Sequence, residues 1–432
     1  MTLKLFFSVV SYHIVHVYKL QKKMLFCCLQ LSLIFVLLLP VCLLCQEPSP
    51  SSIEKMIQKS MNSWQVPGCS VAIVKNGKII LAQGFGKKRS SKDYSESRVD
   101  EDTLFPIASL TKPFTATAVG VMIEQNQLDW NDPVVKYFSD FNLVNPYAKE
   151  HLTLRDCLSM YSGLSFPSTE TLNVYYAALS QDDLIKKLEK LPFSHGFRGC
   201  FSYQNLLYLL VSKAIESRLQ SSWNMIIKEK ILDPLQMTHT HTSYIALLQS
   251  HNKAHPHQWQ EDSIKEVAYE NLDNIASGAG ISSCASDMAK WLLMLNGHGK
   301  IDDLMLIKET TLHEIIKPHA VASIEGFLGQ ENAWMEQVLF PGCHFLSYGY
   351  GWFIHDYHEV VVCQTPGLTD GTTSVMMYVP QLELGIVILA NLENPFFPRT
   401  LAFSIIDCYL NRNEKDWDEY FKSLLLKGLP SA

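Results

Sequence analysis

The 432-residue chain is 47% hydrophobic, enough apolar material to fill one large domain or two closely packed ones. It holds 36 Lys and Arg against 43 Asp and Glu, and Lys4, Lys19, Lys22 and Lys23 sit in a 45-residue N-terminal stretch without an acid. The remaining body is therefore moderately acidic, which argues against nucleic acid as a partner.

Residues 24–45 are almost wholly apolar and follow Lys19, Lys22 and Lys23. This stretch is long enough to span a bilayer, with its basic flank on the cytoplasmic side. A cleaved signal peptide is the competing reading. No small-residue cleavage pair precedes Gln46, which favours an uncleaved anchor with an extracytoplasmic body, either periplasmic or extracellular. Residues 1–18 are apolar too and are compatible with an over-long gene start. Residues 48–52 (P-S-P-S-S) read as a linker, so residues 1–50 are set apart from a folded body at 51–432. Beyond residue 45 the cysteines (69, 157, 200, 284, 343, 363 and 408) are scattered without a C-x-x-C pair, and buried thiols are expected rather than a disulfide framework.

Within the body, Ile53, Met56, Ile57 and Met61 have helical spacing over 52–64. Residues 69–74 and 79–82 read as strands around an Asn76-Gly77 hairpin turn. A helix bearing Ser109 is predicted to run to about Gln125 with Pro113 inside it. From about 129 to 270 short amphipathic helices dominate (153–160, 180–188, 202–217 and 222–231), and another is expected at 287–295. Strands return at 351–354, 360–363, 372–378 and 386–389 before a closing helix at 397–409. Strands at both ends with helices between imply an α+β fold: one antiparallel sheet from 51–128 and 271–432, flanked by helices, with a helical insert at 129–270. A groove between the two parts is the expected site.

Three stretches carry chemistry. F-P-I-A-S-L-T-K-P-F-T-A (105–116) puts Ser109 and Lys112 at i and i+3, on one helical face. A serine needs a base to become a nucleophile, and a lysine with a lowered pKa can be that base. Alone, S-x-x-K is common in helices. F-S-Y-Q-N-L-L (201–207) places Tyr203 and Asn205 at the start of an apolar helix, either as a cap and a half-buried phenol or as a proton shuttle and a substrate-holding amide. C-Q-T-P-G-L-T-D-G-T-T-S-V (363–375) reads as a strand, a glycine turn and a returning strand.

Together these stretches resemble the serine β-lactamase and penicillin-binding-protein superfamily, most closely its class C-like branch of esterases, D-aminopeptidases and β-lactamase-like proteins. The likeness extends over most of 53–410. It includes V-P-G-C-S-V-A-I-V-K-N-G-K (66–78), L-D-W-N-D-P-V-V-K-Y-F (128–138), L-T-L-R-D-C-L-S-M-Y-S-G-L (152–164), I-L-D-P-L-Q-M-T (231–238), Y-G-Y-G-W-F (348–353) and L-G-I-V-I-L-A-N (384–391). The resemblance implies acyl transfer in two steps, with no cofactor. Ser109 is the implied acylated nucleophile, Lys112 its base and Tyr203 a second proton-transfer group. Asn205 is the implied substrate-orienting amide, and the N–H groups of Ser109 and of Leu368, next after Gly367, form an oxyanion hole.

The third motif departs from the family's Lys/His, Ser/Thr, Gly. Here it reads Thr365-Pro366-Gly367, with Gln364 beside it. Losing the basic and hydroxyl residues argues against a true β-lactamase or D-Ala-D-Ala carboxypeptidase, whose substrates carry a free carboxylate. It fits an esterase or amidase with a neutral small-molecule or peptide substrate. It also fits a weakened or inactive penicillin-binding-like protein that binds peptides or a protein partner. Met160 stands where the family commonly has a histidine and reads as structural. His239, His241, His255 and His257 form two H-x-H pairs, but no carboxylate or cysteine accompanies them at metal-site spacing, so no metal is expected. Asp102, Asp132 and Asp287 read as caps.

Overall fold

The computed structural model describes residues 22–24, 47–91, 97–165, 179–324, 335, 339–412 and 415–428. Among these residues no helix is long and apolar enough to cross a membrane. The apolar stretch 24–45, past Met24, lies outside the described residues.

Helix α1 (Pro50–Trp64) begins as its sequence dictates. The Ser49 hydroxyl accepts from the Ser52 N–H at 3.2 Å, and Pro50 occupies the first turn, where no N–H is needed. Its buried face is Ile53, Ile57, Met61 and Trp64. Strands β1 (Gly68–Lys75) and β2 (Lys78–Gly86) follow, joined through Asn76 (φ 51°) and Gly77 (φ +67°), the left-handed pair an N-G hairpin turn requires. After β3 (Phe105–Pro106) and a 3₁₀ turn at Ala108–Leu110 comes helix α2 (Thr111–Glu124). The middle of the chain is mostly helical and includes α3 (Asn205–Leu219). Strand β4 (Ser282–Ser283) pairs with β3, and α4 (Ala285–Asn296) follows.

The chain then builds β5 (Ala320–Val321), β6 (Leu346–Tyr348), β7 (Phe353–Tyr357), β8 (Val360–Thr369), β9 (Thr372–Val379) and β10 (Leu384–Ala390). Helices α5 (Phe397–Tyr409) and α6 (Trp417–Gly428) close it. The main sheet is antiparallel and eight-stranded, in the order β2-β1-β10-β9-β8-β7-β6-β5. The expected antiparallel sheet built from both ends of the chain is therefore present. β10 joins the ends by pairing Cys69 with Ala390 through to Lys75 with Leu384.

Both faces of this sheet are covered, and the sequence of the central strands reflects it. Every residue of β10, L-G-I-V-I-L-A, is buried. Along β1, Val71 and Ile73 point to one face, with Ile386 and Ile388, against α1 and α5. Ala72 and Val74 point to the other, with Val387 and Leu389, beneath α4. Each such buried aliphatic side chain contributes about 1.5–3 kcal/mol by leaving water. Cys69, Cys157, Cys284 and Cys363 are buried free thiols.

Three boundaries differ from the sequence reading. Ser109 lies in a 3₁₀ turn, and the α-helix proper starts at Thr111. The helix expected from Ser202 starts at Asn205, and Gln204 is still extended. β8 does not end at Cys363 but runs through Pro366 and Gly367 to Thr369, with the turn at Asp370-Gly371.

Candidate active site

The site face of the sheet is closed by α2, α3 and the segment 277–281. Pro113 is the third residue of α2, a position whose N–H has no intrahelical acceptor, so the proline costs the helix little. The preceding turn puts Ala108 at φ 47°, a left-handed conformation uncommon for a residue with a Cβ. Such strain concentrates at functional sites, and here it immediately precedes Ser109.

Lys112 is fully buried, while Ser109 is partly exposed. The Lys112 Nζ lies 2.9 Å from the Ser109 Oγ and 2.9 Å from the Gly278 carbonyl oxygen. It also sits over the rings of Tyr203 and Tyr208, 4.8 and 5.6 Å from their centroids. No carboxylate pairs with it among the described residues. Burial without a counter-charge therefore holds the Lys112 amine well below the usual lysine range.

Gly278 belongs to a strap that fixes the first turn of α2. The Thr115 hydroxyl donates to the Ser277 carbonyl at 2.7 Å, Lys112 donates to Gly278, and the Ile281 N–H donates to the Thr111 hydroxyl at 3.1 Å. The Ser277 hydroxyl donates to the Tyr208 carbonyl at 2.9 Å, tying the strap to α3. In sequence, S-G-A-G (277–280) is only a glycine-rich stretch. Its use as the acceptor for the lysine depends on a contact 166 residues away along the chain.

Tyr203 sits on the extended segment just before α3, with its hydroxyl beside the Ser109 hydroxyl. Burial raises its pKa above the usual tyrosine range, so the group is a neutral phenol. Its ring stacks on Phe353 (6.3 Å between centroids) and meets Tyr348 edge-on (6.2 Å). Asn205 is the first residue of α3. Its Oδ1 is buried without a hydrogen-bond partner among the described residues, an acceptor beside Gly278. Met160 supports this segment, its carbonyl accepting from the Ser202 N–H at 3.0 Å and its sulfur from the Gln204 N–H at 3.3 Å. The structural role read for it fits these contacts.

The third motif lies on β8. The β7–β8 ladder ends at Phe353–Gln364, so residues 365–369 run on past the end of β7 and lie against the Ser109 turn. A Cβ at Gly367 would overlap the Ser374 hydroxyl and the Ile107 carbonyl, so only glycine permits this approach. The Ser374 hydroxyl donates to the Ile107 carbonyl at 2.9 Å and fastens the sheet to the turn. Leu368 is 54% exposed, next to the site. Thr365 is buried, and its hydroxyl donates to the Gly351 carbonyl at 2.8 Å. Gly351 (φ +88°) in turn packs so closely on the Lys112-Pro113 backbone that a side chain would not fit. Past Leu368 the surroundings are acidic. The Asp370 N–H donates to Glu270, whose carboxyl is pushed up to about 7 by burial and then by Asp370 and Glu393.

The fold thus gathers Ser109, Lys112, Tyr203, Asn205, Gly367 and Leu368 around one point, with Thr365 behind it. Sequence reading missed Gly278, Tyr208, Tyr348 and Ser374. Asp132 accepts from the nearby Asp129 N–H and Lys136, whereas Asp287 accepts from the distant His239 N–H and Thr240 hydroxyl and does not cap its own helix, whose N-cap is Cys284; both lie outside this cluster.

The Beta-lactamase family profile matches residues 53–408, most of the chain. The chain belongs to the Beta-lactamase family. Protein flp of Staphylococcus aureus (strain N315) is 25% identical over 358 residues, covering 81% of this chain and 65% of its own length. The chain thus spans just under two thirds of that relative. Unguisins hydrolase ungD of Aspergillus violaceofuscus is 23% identical over 395 residues, covering 88% of this chain and 68% of its own. Among solved structures, the octameric penicillin-binding protein homologue of Pyrococcus abyssi superposes with a TM-score of 0.71 at 22% identity, covering 87% of this chain and 81% of that one. The penicillin-binding protein of Bacillus halodurans gives 0.63 at 19% identity, with 81% and 99% covered. These structural likenesses establish the β-lactamase and penicillin-binding-protein fold.

Proposed function

We propose that the protein is a serine hydrolase of the class C-like branch, cleaving a neutral ester or amide through a Ser109 acyl-enzyme. The observation that carries this reading is the 2.9 Å contact between the Ser109 hydroxyl and a fully buried Lys112 amine that has no acidic partner among the described residues. A neutral amine is a base, and burial lowers the Lys112 pKa and so favours the neutral amine. Tyr203, held as a phenol, works as a relay rather than as the base.

In the proposed reaction the Ser109 proton passes to Lys112 Nζ as Oγ bonds to the acyl carbon. The N–H groups of Ser109 and Leu368 receive the developing oxyanion. The proton returns through Tyr203 to the leaving alcohol or amine as its bond to the acyl carbon breaks. Asn205 Oδ1 accepts from a substrate amide N–H. Water, deprotonated by the same pair, then releases the acid and restores Ser109.

The substrate is a neutral small molecule or peptide. No lysine, arginine or histidine stands at position 365, and Glu270, Asp370 and Glu393 crowd the far end of β8. The relative ungD is named an unguisins hydrolase, which supports hydrolysis as the class of reaction. We further propose that the body is exported and tethered through residues 24–45, and that the groove lies between the α/β part and the helical insert.

A second reading is a weakened or inactive binding protein. The commitment of the Thr365 hydroxyl to Gly351 and the proline at 366 favour it. Steady-state turnover of a panel of neutral aryl esters and D-amino-acid amides separates the two. Hydrolysis lost in both Ser109→Ala and Lys112→Met supports catalysis, and no hydrolysis by the folded wild type supports binding alone.

A further inference from the structure

Sequence spacing gave the histidines of the 239–257 region no metal-ligating company, but the fold supplies it. Asp102, His239 and Cys284 come from three distant stretches, and their ligand atoms all lie within 4.8 Å of one another. The closest charged pair, His239 Nδ1 and Asp102 Oδ1, is 3.9 Å apart. We propose that Asp102, His239 and Cys284 form a binding site for one zinc ion, with water as the fourth ligand.

The donor set decides the ion. One thiolate, one imidazole and one carboxylate are ligands for zinc, whereas calcium and magnesium select oxygen. In a tetrahedral zinc site, bonds of about 2.0–2.3 Å set the ligand atoms about 3.5 Å apart. The three groups therefore need to close in by only about 1 Å, within the reach of side-chain rotation. Cys284 is buried at the base, while His239 and Asp102 are 46% and 41% exposed and open the site to solvent. A metal can therefore enter from outside and meet the thiol last.

The surroundings are arranged around the carboxylate. The Ser286 hydroxyl donates to Asp102 Oδ1 at 2.6 Å and lies 3.2 Å from the Cys284 sulfur. Because a carboxylate only accepts, the thiol is the donor to Ser286, and the chain runs Cys284 to Ser286 to Asp102. This orients the carboxylate as an outer ligand partner does. The Asp287 carboxylate accepts from the His239 N–H at 2.8 Å and holds that backbone in place, with Lys290 paired to its other oxygen at 2.9 Å. Without metal, burial and then Asp287 push the Cys284 thiol up to about 12. On binding, the sulfur–metal bond replaces the S–H bond, and the proton leaves to solvent.

The three ligands also have a structural reason to be clipped. β3 pairs with β4, and His241 exchanges backbone hydrogen bonds with Ser282 at 2.9 and 2.8 Å. Residues 105–107, 239–241 and 281–283 thus form one small ribbon, and the ligands sit at its end. Ser109 follows β3 directly, so the ion would anchor the base of the nucleophile turn without touching it.

The test uses the purified full chain, stripped with a chelator and titrated with zinc alone by calorimetry, with bound metal counted by mass spectrometry. One zinc per chain with micromolar or tighter affinity is expected, weakened at least tenfold in both His239→Ala and Asp102→Asn. His239 is largely on the surface, so its variant is expected to fold even if a Cys284 variant does not. Cobalt in place of zinc should give a thiolate-to-cobalt charge-transfer band that disappears in Cys284→Ser. No zinc retained at micromolar concentrations would overturn the proposal. So would binding unaffected by the His239 and Asp102 variants, which would place the ion elsewhere, or a cobalt spectrum without the thiolate band.

Discussion

The Thr365 hydroxyl donates to the Gly351 carbonyl at 2.8 Å, so the side chain at the head of the third motif faces protein rather than substrate. Gln364, Pro366 and Gly367 beside it carry no positive charge, and Glu270, Asp370 and Glu393 lie beyond Leu368. A substrate carboxylate reaching that end of β8 would meet these acidic groups. With a matched pair of esters differing only in an acyl-side carboxylate, the neutral one is expected to have the higher kcat/KM by at least about tenfold, or about 1.4 kcal/mol. Equal turnover of the two would contradict the assignment.

The proton-transfer roles have separable signatures. Lys112 acts only when unprotonated, so kcat/KM should fall as pH drops through its depressed pKa, well below the lysine range. Tyr203→Phe should lower kcat by about 10²–10⁴-fold while leaving the fold intact. Stability carries a second sign. Below the usual value of 10.5 the unfolded chain keeps the Lys112 proton that the folded chain has released. Unfolding free energy should therefore rise with pH between the depressed value and 10.5. Lys112→Met should lose both the turnover and that rise, which urea titrations at several pH values would register.

Gly367→Ala tests the contact between β8 and the nucleophile turn. The added methyl has no room beside Ser374 and Ile107, so β8 must move from Ser109. The overpacking should cost about 1–3 kcal/mol of stability. Activity should fall further than stability explains, because the Leu368 N–H shifts with the strand. A variant with full activity would remove Leu368 from the oxyanion hole.

Glu270 sets a stability slope of the opposite sign. Its carboxyl is raised from 4.5 to about 7 in the folded protein, first by burial and then by Asp370. The folded state holds this proton more tightly than the unfolded one, so stability falls as pH rises from about 4.5 to about 7 and is level above. Glu270→Gln should flatten that window and gain about 1–3 kcal/mol at pH 8. Chemical denaturation at pH 5 and pH 8 would measure it, and an unchanged slope would show that the acidic cluster is relaxed.

Asp156 gives a further handle, at a distance from the chemistry. Its two oxygens accept from Arg198 at 2.8 and 2.7 Å, while it also closes the capping box with Thr153. Arg198 lies on the loop that delivers Tyr203. Asp156→Asn should lower kcat through displacement of Tyr203, with Ser109 still labelled by acylating reagents. Unchanged kcat would confine Asp156 to capping.

How much of this was legible depended on range. The Asn76-Gly77 turn, the helix starts at Ser180 and Ser222, and the buried run of β10 are local signals, and the structure follows them. The short strands β5 and β6 carry no period of their own and exist because β7 offers an edge. β8 was read as ending at Cys363 because Pro366 and Gly367 resemble a turn. Past Gln364, however, β7 no longer pairs with β8, so Pro366 loses no ladder bond on that side. Ser109 and Lys112 were visible as a helical pair, and Tyr203 and Asn205 as polar residues in an apolar stretch. The strap around Gly278 and the meeting of Asp102, His239 and Cys284 were not, since each needs residues brought together across more than a hundred positions.

The most direct test of the central claim is the intact mass of the protein after exposure to a fluorophosphonate, alongside Ser109→Ala. An activated Ser109 predicts one phosphonyl adduct per chain in the wild type and none in the variant. A folded wild type that takes no adduct, or a variant that takes the same one, would contradict the claim that Lys112 activates Ser109.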